Sequence, residues 1–216
     1  MENIASRKLA QFFSGFRRLH YKKGETILRA EEESPGVFYL KRGYVRLYSL
    51  STEGEELTLI IFRPKDIFPL MWVMTHTPNV YFLEAMTPVE ICRSTKEEFL
   101  EFIKTNNNVF FELTGRILVR FGGLLSRMEY LVFGNAYNKV ASILLICAER
   151  FGRKMGNQIE IQVPLIHKEV ASLVGITRET ASIELKKLEK RGMIRYRGRH
   201  IMIKDPQKLR EESLFE

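Results

Sequence analysis

Cysteine is scarce in this chain of 216 residues: there are two, Cys92 and Cys147. Two isolated cysteines provide neither a disulfide framework nor the paired spacing of a metal site. A reducing, cytoplasmic setting suits that usage better than a secreted one. No apolar run approaches the roughly 20 residues needed to cross a bilayer, so no membrane partner is expected. The first segment, Met1–Phe16, lacks the long apolar core and the small-residue cleavage pattern of a secretory signal. Signatures of catalysis are missing as well. There is no nucleophile with a matched base, no metal spacing and no phosphate loop, so no enzyme and no resident cofactor are expected. The carboxylate runs Glu31-Glu32-Glu33 and Glu53/Glu55/Glu56 fall in turns and read as solvated faces.

What the chain has is an ordinary globular composition, 45% apolar and 28% charged, with a net charge of +8. That length suits one large domain or a medium domain with a small one. The charge is unevenly placed. Residues 1–134 carry a net +2 and residues 135–216 a net +6. A basic excess in the shorter C-terminal part is what a phosphate-neutralising surface needs.

Leu9, Phe12, Phe13 and Phe16 recur at helical spacing, which predicts a helix over Met1–Phe16. From His20 to about Arg93 the pattern changes. Short runs rich in Val, Ile, Tyr, Phe and Leu (26–28, 37–40, 44–50, 57–62, 81–85 and 89–93) alternate with turn signals such as Lys23-Gly24, Arg42-Gly43 and Glu53-Gly54. This regular spacing predicts an antiparallel sandwich or barrel. A helix over Thr95–Lys104 follows, capped by Ser94 or Thr95, and Asn106-Asn107-Asn108 interrupts it.

A long helix is predicted from about Val109 to Phe133. Ile117, Phe121, Leu124, Met128 and Leu131 follow one another at 4, 3, 4, 3 along it, the seam of a coiled coil. Leu118, Leu125 and Val132 make a second stripe. One stripe can pack on the helix's own domain and the other on a partner helix; packing of both on its own core is the alternative. Gly134-Asn135 marks a hinge. An apolar helix over Asn135–Phe151 and a strand over Ile159–Val163 come next.

The segment Leu165–Leu188 has the pattern of a helix-turn-helix. Ala171 is small where the first helix must cross the second, and Gly175 tolerates the left-handed backbone of the turn. Val170, Val174, Ile176, Ala181, Leu185 and Leu188 fall on a shared inner face, and Thr177 is a good N-cap. The second helix is predicted over Arg178–Arg191. Arg178, Glu179, Ser182, Ile183 and Lys186 lie on its outward face. Arginine can pair with guanine, glutamate can accept from cytosine, and an aliphatic group can touch a thymine methyl. Gly192–Ile203 then reads as a β-hairpin with a basic tip, a wing, where Arg197, Arg199 and His200 can meet phosphate or the minor groove.

Taken together, these motifs resemble the Crp/Fnr superfamily of transcription regulators. Its DNA-binding half is matched by Glu169-Val170-Ala171, Gly175–Thr180 and Leu185–Gly192. Its cyclic-nucleotide-binding-like β-roll is matched by Lys23-Gly24-Glu25-x-Ile27, Val37–Leu40 with Gly43 and Val45, Gly54-Glu55-Glu56 and Asp66-Ile67-Phe68. The resemblance implies an α+β chain with a sensor β-roll (a jelly roll) over 1–108, a dimerisation helix over 109–134 and a winged helix-turn-helix over 135–216. It implies a homodimer on a pseudo-palindromic operator in double-stranded DNA, with RNA polymerase as a further partner; the apolar segment Met71–His76 suits a small apolar effector, or none, at the sensor. The resemblance puts Arg178, Glu179 and Ser182 on base-reading positions and Thr177 and Thr180 on phosphate-contacting ones. His167 and Lys168, which begin the first helix, lie near the backbone.

Departures from the family pattern shape the expectation. Nucleotide-binding members carry Gly-Glu after the Asp-x-Phe and an Arg-Ser or Arg-Thr pair further on. Here Pro69-Leu70 and the arginine-free Pro78–Phe82 stand there. An anionic cyclic phosphate lacks its charge partner, so no response to cyclic AMP is expected. The four cysteines of iron–sulfur members are absent. Ile183 replaces a common arginine, and Glu184 a common aliphatic residue. The pocket region Met71–His76 is apolar and aromatic, and His76 leaves haem sensing as an alternative. A second alternative makes the C-terminal part dock a protein instead of DNA. The basic charge and the arginine-rich wing favour DNA.

Overall fold

A computed structural model describes residues 4–75 and 77–214. They form two compact units, Met1–Ser49 with Leu59–Gly122, and Leu50–Thr58 with Gly123–Glu216.

The first unit begins with α1 (Ile4–Ser14), which buries Ala5, Leu9 and Phe13. Strands β1 (Arg18–Tyr21), β2 (Thr26–Leu28), β3 (Val37–Arg42), β4 (Val45–Leu50), β5 (Glu56–Phe62) and β6 (Ile67–Phe68) follow, Leu50 of β4 and Glu56–Thr58 of β5 counting with the second unit. Then come a short helix α2 (Leu70–Thr75) and strands β7 (Phe82–Ala85) and β8 (Val89–Ser94). Among the described residues these strands make two antiparallel sheets, ordered β1-β8-β3-β6 and β2-β7-β4-β5. Strands β1 and β6 are absent from the sequence reading, because Arg18–Tyr21, although it alternates, is only four residues long and Ile67-Phe68 only two.

Strand β3 shows how the layers stack. Phe38 and Leu40 join Leu28, Val45, Phe62, Phe68, Leu83 and Ile91 inside the roll. Val37 and Tyr39 face the other way, onto α1 and α3 (Lys96–Thr105). The ring of Phe13 stacks on Tyr39 at 5.1 Å. With both faces covered, the strand reads as a continuous apolar run rather than an alternating one. Fully burying each such side chain contributes about 1.5–3 kcal/mol. Gly43 serves the β3–β4 turn at φ 89°, where an added Cβ would lie 2.3 Å from the Pro88 carbonyl oxygen. Helix α3 is held by a capping box between Thr95 and Glu98.

Helix α4 (Asn107–Phe133) supplies residues to both units. Its inward face is not one of the two apolar stripes. Val109 and Leu113 start it, and arginines continue it. In the first unit Arg116 donates to Ser6 Oγ at 2.8 Å and to the Lys65 carbonyl at 3.1 Å. Arg120 pairs with Asp66 at 2.5 Å beneath the Phe62 ring. Ile117, Phe121 and Met128 remain 45%, 57% and 62% exposed, and Leu118, Leu125 and Val132 of the second stripe are exposed too. Leu124 and Leu131 are half-buried.

The second unit is built on α5 (Ala136–Phe151), which Asn135 caps and which is buried along most of its length. Strands β9 (Gly152–Met155) and β10 (Gln158–Ile161) lead to helices α6 (His167–Val174) and α7 (Arg178–Lys190). Strands β11 (Ile194–Arg197) and β12 (His200–Ile203) and helix α8 (Pro206–Glu211) complete it. The sheet order is β11-β12-β10-β9. Strand β9 escapes the sequence reading because all four of its residues are exposed, leaving backbone pairing with β10 and no apolar alternation to mark it. Helix α8 escapes because its six residues are too few to show a period, although Asp205 caps it and Pro206 opens it.

Candidate nucleic-acid interface

The helix pair α6–α7 is organised by local chemistry. Gly175 ends α6 at φ 70° and ψ 44°, and its N–H donates to the Ala171 carbonyl. The left-handed residue turns the chain within two positions, so α7 starts at Arg178. Thr177 caps it by accepting from the Thr180 N–H at 3.2 Å. The two threonine hydroxyls also bond each other at 2.8 Å. Helix α7 buries Ala181, Glu184, Leu185 and Leu188. Its opposite face carries Arg178, Glu179, Ile183 and Lys186, all exposed, with Ser182 half-buried beside them. The five side chains expected on the outward face, the base-reading Arg178, Glu179 and Ser182 among them, therefore share one side of the helix. Glu179 sits in the first turn, where the helix dipole favours a carboxylate. Glu184 lies on the inner face with Lys187 Nζ 2.9 Å from its carboxylate. This pairing, which spacing alone does not announce, accommodates an acid at a core-facing position.

The wing is the β11–β12 hairpin, with Gly198 at φ 64° in its turn. Arg197 and Arg199 are exposed at its tip. Arg197 Nη1 lies 3.7 Å from Glu160, which also pairs with Arg153 at 2.7 Å. A hydrogen bond from Gln162, followed by the Arg153 guanidinium, holds the Glu160 carboxyl below the usual range. The Arg199 carbonyl accepts from Leu165 N–H at 2.9 Å, tying the wing to the approach to α6. His200 is half-buried, its Nδ1 3.1 Å from the Ile161 carbonyl. A nitrogen facing a carbonyl must carry the proton.

His167 opens α6 and packs edge-on against Tyr196 of β11 at 5.5 Å. Lys168 is exposed and paired with Glu56 at 3.0 Å. Glu56 belongs to the β4–β5 tip, Leu50–Thr58, which is part of this unit. The tip is fastened further by Thr58, whose N–H and Oγ1 lie 3.0 and 2.7 Å from Ser172 Oγ. Arg127 of α4 donates to the Thr58 carbonyl at 2.7 Å and to the Leu173 carbonyl. Thr58, Ser172 and Arg127 are all buried. Sequence reading misses these anchors, because nothing local to Arg127 or Thr58 marks a partner far along the chain.

Both cysteines are buried free thiols. No group of His, Cys, Asp or Glu that could hold a metal occurs among the described residues. His76 lies outside them. No helix of the described residues is long and apolar enough to cross a membrane.

Comparisons with known proteins agree with this architecture. Residues 18–106 match the cyclic nucleotide-binding domain, and residues 138–212 match the Crp-like helix-turn-helix domain. The CRP-like cAMP-activated global transcriptional regulator of Mycobacterium tuberculosis is 25% identical over 88% of this chain and 84% of its own. The nitrogen fixation regulation protein FixK of Bradyrhizobium diazoefficiens is 25% identical over 94% and 85%. Among solved structures, a CooA variant from Carboxydothermus hydrogenoformans superposes with a TM-score of 0.77 at 29% identity, covering 93% of this chain and 89% of that one. FixK2 from Bradyrhizobium japonicum shares the fold with a TM-score of 0.79 at 21% identity, covering 93% and 98%.

Proposed function

Because the chain belongs to the Crp/Fnr superfamily of DNA-binding transcription regulators, we propose that it binds a pseudo-palindromic operator as a homodimer, with α7 of each protomer in a major groove. The observation that carries this reading is the open face of α7, where the exposed Arg178 and Glu179 stand one turn from the exposed Ile183 and the half-buried Ser182. Lys168, Arg197 and Arg199 serve the phosphates, with Thr177, Thr180 and His167 beside them. The dimer forms along α4 through Ile117, Phe121, Leu124, Met128 and Leu131. The exposure of Ile117, Phe121 and Met128 supports this, since apolar side chains repeated at coiled-coil spacing favour a second helix over water.

The regulator works without cyclic AMP. Pro69-Leu70 and the arginine-free Pro78–Phe82 leave an anionic cyclic phosphate without its charge partner, and the apolar, aromatic pocket region suits an uncharged effector better. It acts in the cytoplasm, where a DNA-bound dimer meets RNA polymerase.

Selection of bound sites from random duplexes tests the reading. The expected product is a two-fold motif with half-sites about 10 bp apart, bound with a steep inverse dependence on salt. Binding without sequence preference, or recovery of a single half-site, overturns it.

A further inference from the structure

The exposed face of α7 is polar except at one place. Among its described residues, Ile183 is the single large apolar side chain left exposed, at 54%. It lies outside the core, which Ala181, Leu185 and Leu188 serve from the opposite side. A β-branched residue on an open helical face also has no advantage of propensity over the lysines around it. Its neighbours on that face are Glu179 one turn before and Lys186 one turn after. Those two bracket it with charges that can reach hydrogen-bonding base edges, whereas Ile183 can gain only by losing water.

The major groove offers one apolar group, the C5-methyl of thymine. We infer that Ile183 is a specificity-determining residue that packs on a thymine methyl in each half-site, at a base pair next to those read by Arg178 and Glu179. The inference rests on the DNA-binding reading above and specifies what one position of the operator must be. The contact discriminates by shape and dehydration: cytosine presents an amine where thymine presents its O4, and adenine and guanine present no methyl at all.

Uracil isolates the effect, since it keeps every hydrogen-bonding group of thymine and removes only the methyl. The experiment uses the full-length dimer and a duplex chosen by site selection, with each thymine replaced in turn by deoxyuridine symmetrically in both half-sites. One position is expected to weaken wild-type binding by about 3–30-fold, equivalent to about 0.7–2 kcal/mol at 1.4 kcal/mol per tenfold. Ile183→Ala is expected to bind the thymine duplex correspondingly more weakly and to be indifferent to uracil at that position. Ile183→Val retains part of the penalty. An unchanged thermal midpoint for both variants shows that the fold is intact. Wild-type protein that is indifferent to uracil everywhere, or an Ile183→Ala variant that keeps the full uracil penalty, overturns the inference. Sequence-selective binding persisting in either case leaves the DNA-binding reading standing, so the two failures are distinguishable.

Discussion

Glu56 Oε1 lies 3.0 Å from Lys168 Nζ, a lysine at the second position of the first helix of the helix-turn-helix. A carboxylate thus holds a cation that the proposed operator complex needs for phosphate. The lysine is 59% exposed, so the pair is cheap to break. Releasing Lys168 from Glu56 is expected to favour DNA. Glu56→Gln should tighten binding a few-fold for all sequences alike. Lys168→Ala should weaken it for all sequences alike and lower the salt slope by about two per dimer, one phosphate per protomer. Fluorescence anisotropy at several salt concentrations measures both, and an unchanged slope in Lys168→Ala removes this residue from the phosphate set.

Arg178 stands first on α7 and exposed. Arg178→Ala is expected to lose about 1–3 kcal/mol of discrimination at one base pair while keeping non-specific affinity. Competition between the selected duplex and a scrambled one reads the difference. Equal discrimination in wild type and variant moves base reading away from Arg178.

Phe121 is 57% exposed on α4, so Phe121→Glu costs little within one protomer. A charge placed in a coiled-coil seam is expected to yield folded monomer with lost operator affinity. Light scattering reports the mass and circular dichroism the helix content. A variant that stays dimeric places the contact on another face.

Ser172→Ala removes the hydroxyl that serves Thr58 from inside the protein. A buried N–H without its acceptor costs about 1–3 kcal/mol, and each kcal/mol lowers Tm by about 2–4 °C at this chain length. Calorimetry is the measurement. A neutral result shows that water replaces the hydroxyl.

Burial pushes the Cys147 thiol up to about 12 from an ordinary 9.0. Folding therefore favours its protonated form. That contribution to stability is complete below pH 9, the unfolded value, and is lost as pH rises toward the folded one. Denaturant midpoints should fall between pH 8.5 and 11, and Cys147→Ala should flatten the decline. A thiol reagent at neutral pH should label neither cysteine in the native protein and both in denaturant.

The helix-turn-helix was legible because its signals are local. A left-handed glycine at 175, a small residue at 171 and a capping threonine at 177 lie within seven residues, the glycine and threonine acting on their own backbone and the alanine on the helix that follows at once. The open stripe of α4 was legible for the same reason, since a period needs no partner to be seen. The strands of the roll were found where apolar runs marked them; β1 and β6 were not, because they are short and pair with strands distant in the chain, and β9 of the second unit was not, because its exposed residues carry no apolar alternation. Tertiary structure alone decided which side of α4 faces its own protein. That side is bound by Arg116 to a carbonyl 51 residues away and by Arg127 to one 69 residues away. It also decided that the Leu50–Thr58 tip grips α6 and that Glu184 turns inward. Local chemistry writes helices and turns into the sequence, whereas hydrogen bonds to remote backbone carbonyls require no particular residue at the accepting end and so leave no mark there.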